Sequence, residues 1–449
     1  MKRSPWRYLW TAQDIRRKLV ITFILLVIYR LAAHVPVPGA DRDAIQAILE
    51  AGGAGGTLVG LLDLLSGGTV SNFSVLAMGV YPYITAQIII QLLTPIIPAL
   101  QKRMEEDPRE GQKWMERWTI ILAVPMAALQ AVGQINIFNS FTTANMPVIS
   151  NFGFGTSSST LNTLTIVISM TAGTMFAIWL GELISEFGIR NQGLSLIIFA
   201  GIVARIPANF RGLLVNQQYL WVSLLVVAVT LVATIFAIVV VQQGRRNIPV
   251  MYPGRRMGNR MSMPVKGTLP LMVNMAGMIP LIFAQSLLTF PAILASFFTS
   301  SSVEWVSNLA TNIQALFGGQ GNAYYVLYFF MVVGFTFFYT NVLFQQQNYG
   351  ENLKRVGARI PGVSPGAPTQ RYLNKVLSRI TLPGALFLGM VAVLPWLLSL
   401  IFPFIRNTSA TLLISGAGLI IVVGVVRDLF FNIEAELKLH GYDDALLIR

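Results

Sequence analysis

The chain has 449 residues, of which 54% are hydrophobic and only 11% are charged, a composition that excludes an ordinary water-soluble protein. Lys and Arg number 32 against 19 Asp and Glu, and the net charge of +13 fits an anionic membrane face, a nucleic acid or an acidic partner. With no Cys and only two His, the chain has no disulfides or thiol chemistry and a His-rich centre is not expected, so we predict no metal and no cofactor.

Long stretches of the chain contain no charged residue, for example 118–181 and 305–350. A helix needs about 20 mostly apolar residues to cross a bilayer, and these stretches lack the alternation of barrel strands. A basic stretch precedes the first apolar segment as in a signal peptide, but no convincing cleavage site follows it. We therefore predict an all-α polytopic membrane protein with ten transmembrane helices, near residues 19–35, 73–96, 118–137, 160–181, 192–206, 217–242, 268–298, 323–346, 380–404 and 408–427.

The distribution of basic residues predicts the orientation of the spans. With the N-terminus inside, 27 of the 32 Lys and Arg residues fall in inside segments, four fall outside and Arg30 lies within the first span. Cytoplasmic loops of membrane proteins carry an excess of Lys and Arg. The pattern therefore predicts that both termini are cytoplasmic.

Ten spans divide into an N-terminal half, 1–211, and a C-terminal half, 212–449. Because five is odd, a second copy of the unit enters from the opposite face, and any duplication would be inverted around a site near the bilayer midplane. No strong residue-level similarity between the halves is evident. Pro82 and Pro280 fall in the second and seventh spans, which correspond in the two halves, and each is expected to bend its helix.

Two inside loops, 243–267 and 350–379, are long, basic and rich in Pro and Gly. Positive-inside topology by itself accounts for one basic loop. Two loops with six basic residues each exceed that need and favour a docking surface for an acidic or nucleic-acid-bearing partner such as ribosomal RNA. The candidate contact residues are Arg245, Arg246, Arg255, Arg256, Arg355 and Arg359.

Five short segments of the chain have a distinctive sequence: 65–68, 78–84, 88–94, 197–204 and 273–280. Together they resemble the SecY family of bacterial protein-translocation channels, and the similarity covers nearly the whole chain with matching loop order. The resemblance implies ten helices in two pseudo-symmetric inverted halves around a central pore, with a short plug half-helix. Such a channel passes unfolded polypeptide across the membrane and releases hydrophobic segments sideways into lipid.

The resemblance also implies a constriction ring of aliphatic side chains in the pore. Carried over by motif, the ring consists of Val80, Ile84, Ile198, Ile202, Ile282 and Ile421. Two pairs in this set are four residues apart, which places each pair on one helix face. A narrow apolar ring excludes water and ions by dewetting. Without the family, composition would treat each of these residues as facing lipid or core.

The implied plug lies within 61–71, and its residues are Leu61, Leu62, Asp63, Leu64, Leu65, Ser66, Gly67 and Gly68. By composition alone this segment is an apolar interfacial turn flanked by glycines. The implied lateral gate lies between the second and third spans on one side and the seventh and eighth on the other. Its polar contacts would be Thr94, Gln130 and Asn274, although interhelical packing explains such residues equally well.

The resemblance further implies the partners and the location of the chain. The implied partners are the small subunits SecE and SecG, the SecA motor, the ribosome with its RNA, signal peptides, nascent chains and membrane lipids, at the bacterial cytoplasmic (inner) membrane. One position departs from the family. The pattern Pro-Gly-x-Arg-Pro-Gly has Ser364 in place of the arginine here, so Arg355 or Arg359 would have to supply the charge.

Other classes of protein fit the sequence less well. No phosphate-binding Gly-x-x-x-x-Gly-Lys-Ser/Thr motif and no His-Glu-x-x-His zinc motif is present, so we do not expect an enzyme. A secondary transporter of a small solute shares inverted repeats and broken helices, but it normally keeps ionisable groups at the midplane, where these spans are nearly free of charge. A structural scaffold is the third alternative, and it predicts no wettable path.

Overall fold

The computed structural model describes a mostly helical chain, as the sequence predicts. The described residues are 13–41, 69–70, 73–98, 100, 108–141, 148–149, 152–153, 157–190, 192–215, 220–253, 256–257, 260–261, 265–298, 303–317, 321–401 and 416–439. Six helical segments among them are long and apolar enough to cross a membrane by length and composition. The protein is therefore a multi-pass membrane protein.

The helices follow the order of the predicted spans. Those of the first half are α1 (Gln13–Ala32), α2 (Tyr81–Ile96), α3 (Pro108–Phe141), α4 (Ser157–Phe187) and α5 (Gly193–Val215). Those of the second half are α6 (Leu220–Gln243), α7 (Ile279–Ser296), α8 (Glu304–Phe317), α9 (Asn322–Gln346), α10 (Tyr349–Arg355), α11 (Ala367–Ala392), α12 (Leu394–Ile401) and α13 (Gly416–Leu439). Helices α8 and α10 lie outside the predicted spans, and each predicted span overlaps one of the longer helices.

The second and seventh spans are shorter as helices than predicted. Irregular backbone precedes α2 over residues 73–80, and residues 268–272 of the predicted seventh span belong to a β-strand, followed by irregular backbone before α7. Helix α2 starts only at Tyr81 and α7 only at Ile279, with Pro82 and Pro280 in their first turns. A proline is well placed there, since its missing N–H would have no partner in the helix in any case. The prediction that these two prolines bend their helices is therefore wrong. Pro125 and Pro383 do lie inside helices, α3 and α11.

The loop 243–267, predicted to lie inside, folds into β structure, so the all-α prediction is wrong for this segment. Strands β1 (Arg245–Tyr252) and β4 (Val265–Met272) pair antiparallel, with Arg245 opposite Met272 and Tyr252 opposite Val265. The short strands β2 (Arg256–Met257) and β3 (Arg260–Met261) pair between them. The Pro- and Gly-rich composition did not reveal the alternation of buried residues in β1.

Apolar side chains in the described helices are both buried and exposed, as a lipid-embedded protein requires. Helix α6 shows this most clearly, because Leu225, Val232 and Phe236 are exposed along it. A soluble protein rarely leaves such a continuous apolar surface uncovered. The irregular segment before α2 is buried instead, with Phe73, Leu76 and Ala77 at most 1% exposed. Burial within protein is what allows non-helical backbone at membrane depth.

Candidate functional site

The six residues implied as the pore ring meet in one apolar cluster, which we call the waist cluster: Val80, Ile84, Ile198, Ile202, Ile282 and Ile421. They come from the starts of α2 and α7, from α5 and from α13. Five of the six are between 1% and 8% exposed, and Ile202 is partly buried against them. Other core residues belong to the same cluster. The structure therefore shows that the six residues lie together, but their contacts alone do not distinguish a pore ring from an ordinary packed core.

The starts of α2 and α7 share a sequence and a backbone conformation. Residues 79–84 read Gly-Val-Tyr-Pro-Tyr-Ile and residues 277–282 read Gly-Met-Ile-Pro-Leu-Ile, so both follow the pattern Gly-x-x-Pro-x-Ile. Both glycines have positive φ, +52° and +64°, a conformation that favours glycine. Met278 takes the position of Val80 and packs against the waist cluster, although the sequence analysis did not select it. Aligning the two short patterns would have found it.

The similarity between the segments that precede α2 and α7 extends to the helices that pack against them, α4 and α11. A Cβ at Gly173 of α4 would lie 2.2 Å from the carbonyl oxygen of Val75, and a Cβ at Gly384 of α11 would lie 2.7 Å from that of Val273. Each valine precedes the glycine of its Gly-x-x-Pro-x-Ile pattern by four residues. The fourth and ninth spans therefore contact equivalent backbone through equivalent glycines.

Helices α2 and α3 contact α7 through a small number of polar bonds. The Tyr81 hydroxyl donates a hydrogen bond of 3.1 Å to the carbonyl oxygen of Ser286, and Ser296 Oγ donates one of 3.3 Å to the carbonyl oxygen of Gly133. Gly133 also permits close packing, because a Cβ there would lie 2.3 Å from Ile293 Cγ2. The sequence analysis missed these residues, since a tyrosine, a serine or a glycine in an apolar span carries no specific signal.

The residues predicted for the lateral gate bond within their own side of this interface. Thr94 Oγ1 donates to the carbonyl oxygen of Ile90 at 2.8 Å, and Gln130 Nε2 donates to Thr85 Oγ1 at 3.1 Å, tying α3 to α2. Among the described residues, Gln130 Oε1 is buried with no hydrogen-bond partner.

Asn274, the third predicted gate residue, stabilises the turn before α7. Its Nδ2 donates to the carbonyl oxygen of Gly277 at 3.1 Å, and its Oδ1 accepts from the Gly277 N–H at 3.0 Å. These bonds hold Gly277 in the conformation from which the helix starts. Within the part of the chain that the structure describes, the three predicted gate residues form no hydrogen bond with one another.

The two basic inside loops form one folded unit, which we call the loop module: β1, β4, α10, the segment 358–360 and the start of α11. Met251 N–H donates to the Arg359 carbonyl and Arg359 N–H donates to the Met251 carbonyl, both at 2.8 Å. This pair of bonds adds a short third strand to the hairpin. An apolar core lies beneath it, formed by Ile248, Val250, Leu271, Phe344, Ala358, Ile360, Leu373, Leu377 and Ile380.

Basic side chains from both loops lie on one face of the loop module. Met251 stands opposite Lys266 on one side and Arg359 on the other, and directly opposite residues point to the same face of a sheet. All three side chains are exposed. Lys266, Met251 and Arg359 therefore form a row across the sheet, and the row carries two cations that lie far apart in the sequence.

The remaining predicted docking residues are placed in different ways. The Arg245 guanidinium lies 5.9 Å from the ring centroid of Phe431 on α13, and Arg246 and Arg355 are exposed. Arg256 begins β2, whereas Arg255 lies outside the described residues. Ser364 is exposed. The predicted plug residues also lie outside the described residues.

No metal site is evident in the described part of the chain, where no three His, Asp or Glu side chains come together in a way that could hold an ion. The sequence profile of the SecY family matches residues 74–430. The chain belongs to the SecY family. The matched region contains both Gly-x-x-Pro-x-Ile patterns and all six residues of the waist cluster.

Individual SecY proteins match over nearly their whole length. The chain is 36% identical to the protein translocase subunit SecY of Streptomyces scabiei over 442 residues, which cover 96% of this chain and 97% of that protein. It is also 36% identical to the subunit SecY of Mycobacterium bovis over 440 residues, with the same coverage of 96% and 97%.

Solved channel structures share the fold at lower sequence identity. A protein-conducting channel matches with a TM-score of 0.62 at 19% identity, covering 96% of this chain and 93% of that one. Sec61 in the canine ribosome–channel complex from the endoplasmic reticulum matches with a TM-score of 0.60, also at 19% identity and with the same coverage of 96% and 93%.

Proposed function

We propose that this chain is the central subunit of a protein-conducting channel that secretes unfolded polypeptides and inserts membrane proteins. The observation that carries the proposal is the waist cluster, in which aliphatic side chains from four separate helices converge. Membership of the SecY family supports it. The alternative of a secondary transporter has less support, because the six ring residues carry no ionisable group and the relatives of the chain are protein translocase subunits.

In this proposal the waist cluster is the seal of the resting channel. Its side chains pack together and leave little accessible surface, so water and ions meet an apolar constriction and are excluded by dewetting. Aliphatic contacts are non-directional. The same ring can therefore yield to an unfolded chain of any sequence and close again behind it. The segment 61–68 would act as the plug on the outer side of this ring.

The channel is built from two inverted halves, 1–211 and 212–449. The repeated Gly-x-x-Pro-x-Ile pattern supports this arrangement, as do Gly173 and Gly384 against equivalent backbone. In the predicted orientation the break before α2 lies towards the outside and the break before α7 towards the inside. Ile84 and Ile282 occupy the same position of the pattern, so the duplication itself brings two ring residues to the midplane.

The lateral gate lies between α2 and α3 on one side and α7 and α9 on the other, and α7 is the helix that bonds to α2 and α3. Hydrogen bonds from Tyr81 and from Ser296 cross the gate. Interhelical hydrogen bonds in membranes contribute about 0.6 kcal/mol each, so this interface can open reversibly. Thr94, Gln130 and Asn274 position the gate helices from within each side. The free Gln130 Oε1 is an acceptor available to a segment that enters the gate.

The loop module docks the partner that drives translocation, either the SecA motor or the ribosome. The row of Lys266, Met251 and Arg359 supports this role, and exposed Arg355 and Arg359 would supply the charge that Ser364 lacks. A solved relative, Sec61, is part of a ribosome–channel complex. SecE and SecG complete the assembly in the bacterial cytoplasmic membrane, with both termini of this chain in the cytoplasm.

The seal can be tested by ion conductance in planar bilayers. Replacing Ile84 and Ile202 with Asn places polar groups in the ring, which we expect to wet the constriction and raise the resting ion leak. Ile168→Asn on the exposed surface of α4 is the matched control and should leave the leak unchanged. Equal resting conductance of the ring variant and the unmodified chain would contradict the seal.

A second measurement separates a protein channel from a solute transporter. Proteoliposomes that contain the complex and the SecA motor are supplied with a signal-bearing preprotein, and its protection from added protease is measured. Uptake of preprotein is expected with the motor and ATP. Saturable uptake of a small solute without movement of preprotein would favour the transporter.

A further inference from the structure

Helix α8 (Glu304–Phe317) connects α7 and α9 without crossing the membrane. Its 14 residues extend about 21 Å, which is too short for a hydrocarbon core of about 30 Å. Its Ala310 is buried. The helix is therefore held against the body of the protein along one side, and the remaining faces need a different environment.

The exposed part of α8 is divided into an apolar side and a polar side. Trp305, Leu309 and Leu316 are 69%, 50% and 42% exposed, and their spacing of four and seven residues places them on one side of the helix. Thr311 is exposed on the polar side, whereas exposed Asn308 and Asn312 border the apolar side and line one shallow surface with these three apolar side chains. An apolar stripe beside a polar one is typical of a helix that lies in a membrane interface.

The surroundings of α8 favour lipid as the occupant of its apolar side. Helix α8 packs against α7, whose end is followed by exposed Phe297 and Phe298, and it also contacts α9, which exposes Val326 and Phe330. The apolar side of α8 thus lies next to helices that also expose apolar side chains. Its only charged residue is Glu304, so it lacks the charge pattern that recruits a charged protein.

We propose that α8 lies in the headgroup region of the bilayer and binds the lipid surface through Trp305, Leu309 and Leu316. Tryptophan is enriched at this depth because its ring is apolar and its N–H is polar. Thr311 then faces water, with Asn308 and Asn312 at the level of the polar headgroups. Because α8 is joined to α7, the anchored helix fixes the depth of the outer end of α7 in the bilayer. This inference does not depend on the proposed channel function.

Spin labelling of single cysteines tests this placement in the full chain, purified with its accompanying subunits. The chain has no native cysteine, so each variant carries one label without further changes. Leu309→Cys and Leu316→Cys probe the apolar side, Thr311→Cys is the matched control on the polar side, and Ile168→Cys marks a lipid-facing position. The labelled proteins are reconstituted into vesicles of phosphatidylethanolamine and phosphatidylglycerol.

Collision rates with oxygen, which concentrates in lipid, and with a water-soluble nickel complex report the environment of each label. The ratio at Leu309→Cys and Leu316→Cys should shift towards oxygen, as at Ile168→Cys, whereas Thr311→Cys should favour nickel. Access of nickel to all three α8 labels would overturn the proposal in favour of a water-exposed helix. Exclusion of both reagents from Leu309→Cys and Leu316→Cys would overturn it in favour of a protein partner or a second copy of the chain.

Discussion

Glycines at helix contacts show how single residues set the geometry of this protein. Gly384 of α11 lies against the carbonyl oxygen of Val273, whereas a methyl group added at Gly334 of α9 would have no atom within 4 Å. Both are helical glycines in apolar spans and look alike in the sequence. Only the contact with neighbouring backbone distinguishes them, and backbone cannot move aside as a flexible side chain can.

Gly384→Ala is expected to lower thermal stability, because the new Cβ would lie 2.7 Å from the Val273 oxygen and force the helix away. Overpacking of this kind typically destabilises by about 1–3 kcal/mol. Gly334→Ala is the matched control, and its better helix propensity should leave the stability unchanged or raised by up to about 1 kcal/mol. The midpoint of thermal unfolding in detergent measures both. Equal midpoints would show that the close contact has no energetic role.

At the scale of elements, the two inside loops act as one structure. The backbone bonds between Met251 and Arg359 join loops that are separated by three helices in the sequence. Pro249 in β1 is compatible with its strand because its missing N–H lies at the same outer edge as the N–H of Met251. The position of the hairpin therefore depends on the second loop as well as on β4.

Arg359→Pro is expected to weaken docking of the partner more than Arg359→Ala. Both variants remove the charge, but only proline removes the N–H that bonds to Met251. Loss of one hydrogen bond destabilises by about 1 kcal/mol, which corresponds to roughly fivefold in affinity if docking requires the joined loops. Titration of SecA or ribosomes onto the reconstituted complex measures the difference. Identical affinities would mean that the guanidinium alone matters.

At the scale of the whole molecule, the predicted orientation separates charge across the membrane. Most basic residues fall in segments predicted to lie inside, and the loop module presents some of them on a single exposed face. Such a surface attracts an anionic partner over a distance set by the Debye length, which is about 10 Å at 0.1 M salt. Docking should therefore depend on ionic strength as well as on shape.

Charge reversal at Arg255 and Arg256 is expected to weaken binding of ribosomes or of the SecA motor, most strongly at low salt. Charge reversal at Arg42 and Arg406 is the matched control, since it makes the same change of charge in segments predicted to lie outside. Binding isotherms at several salt concentrations distinguish the two. Equal losses of binding affinity for the two charge-reversal variants would indicate that the net charge of the molecule governs binding, and not docking at Arg255 and Arg256.

The sequence alone determined that this is a multi-pass helical membrane protein, because a helix that crosses lipid needs a long apolar run. The family followed from short motifs such as 78–84 and 273–280. These features are local, so they can be read without a structure.

The tertiary structure decided what depends on distant residues meeting. It showed that Pro82 and Pro280 start their helices, that the basic loops join through Met251 and Arg359, and that Tyr81 contacts Ser286. It also brought Val80, Ile198 and Ile421 into one cluster. An isoleucine in an apolar span has the same sequence signature whether it faces lipid, core or pore, because hydrophobicity has no direction and only packing assigns one.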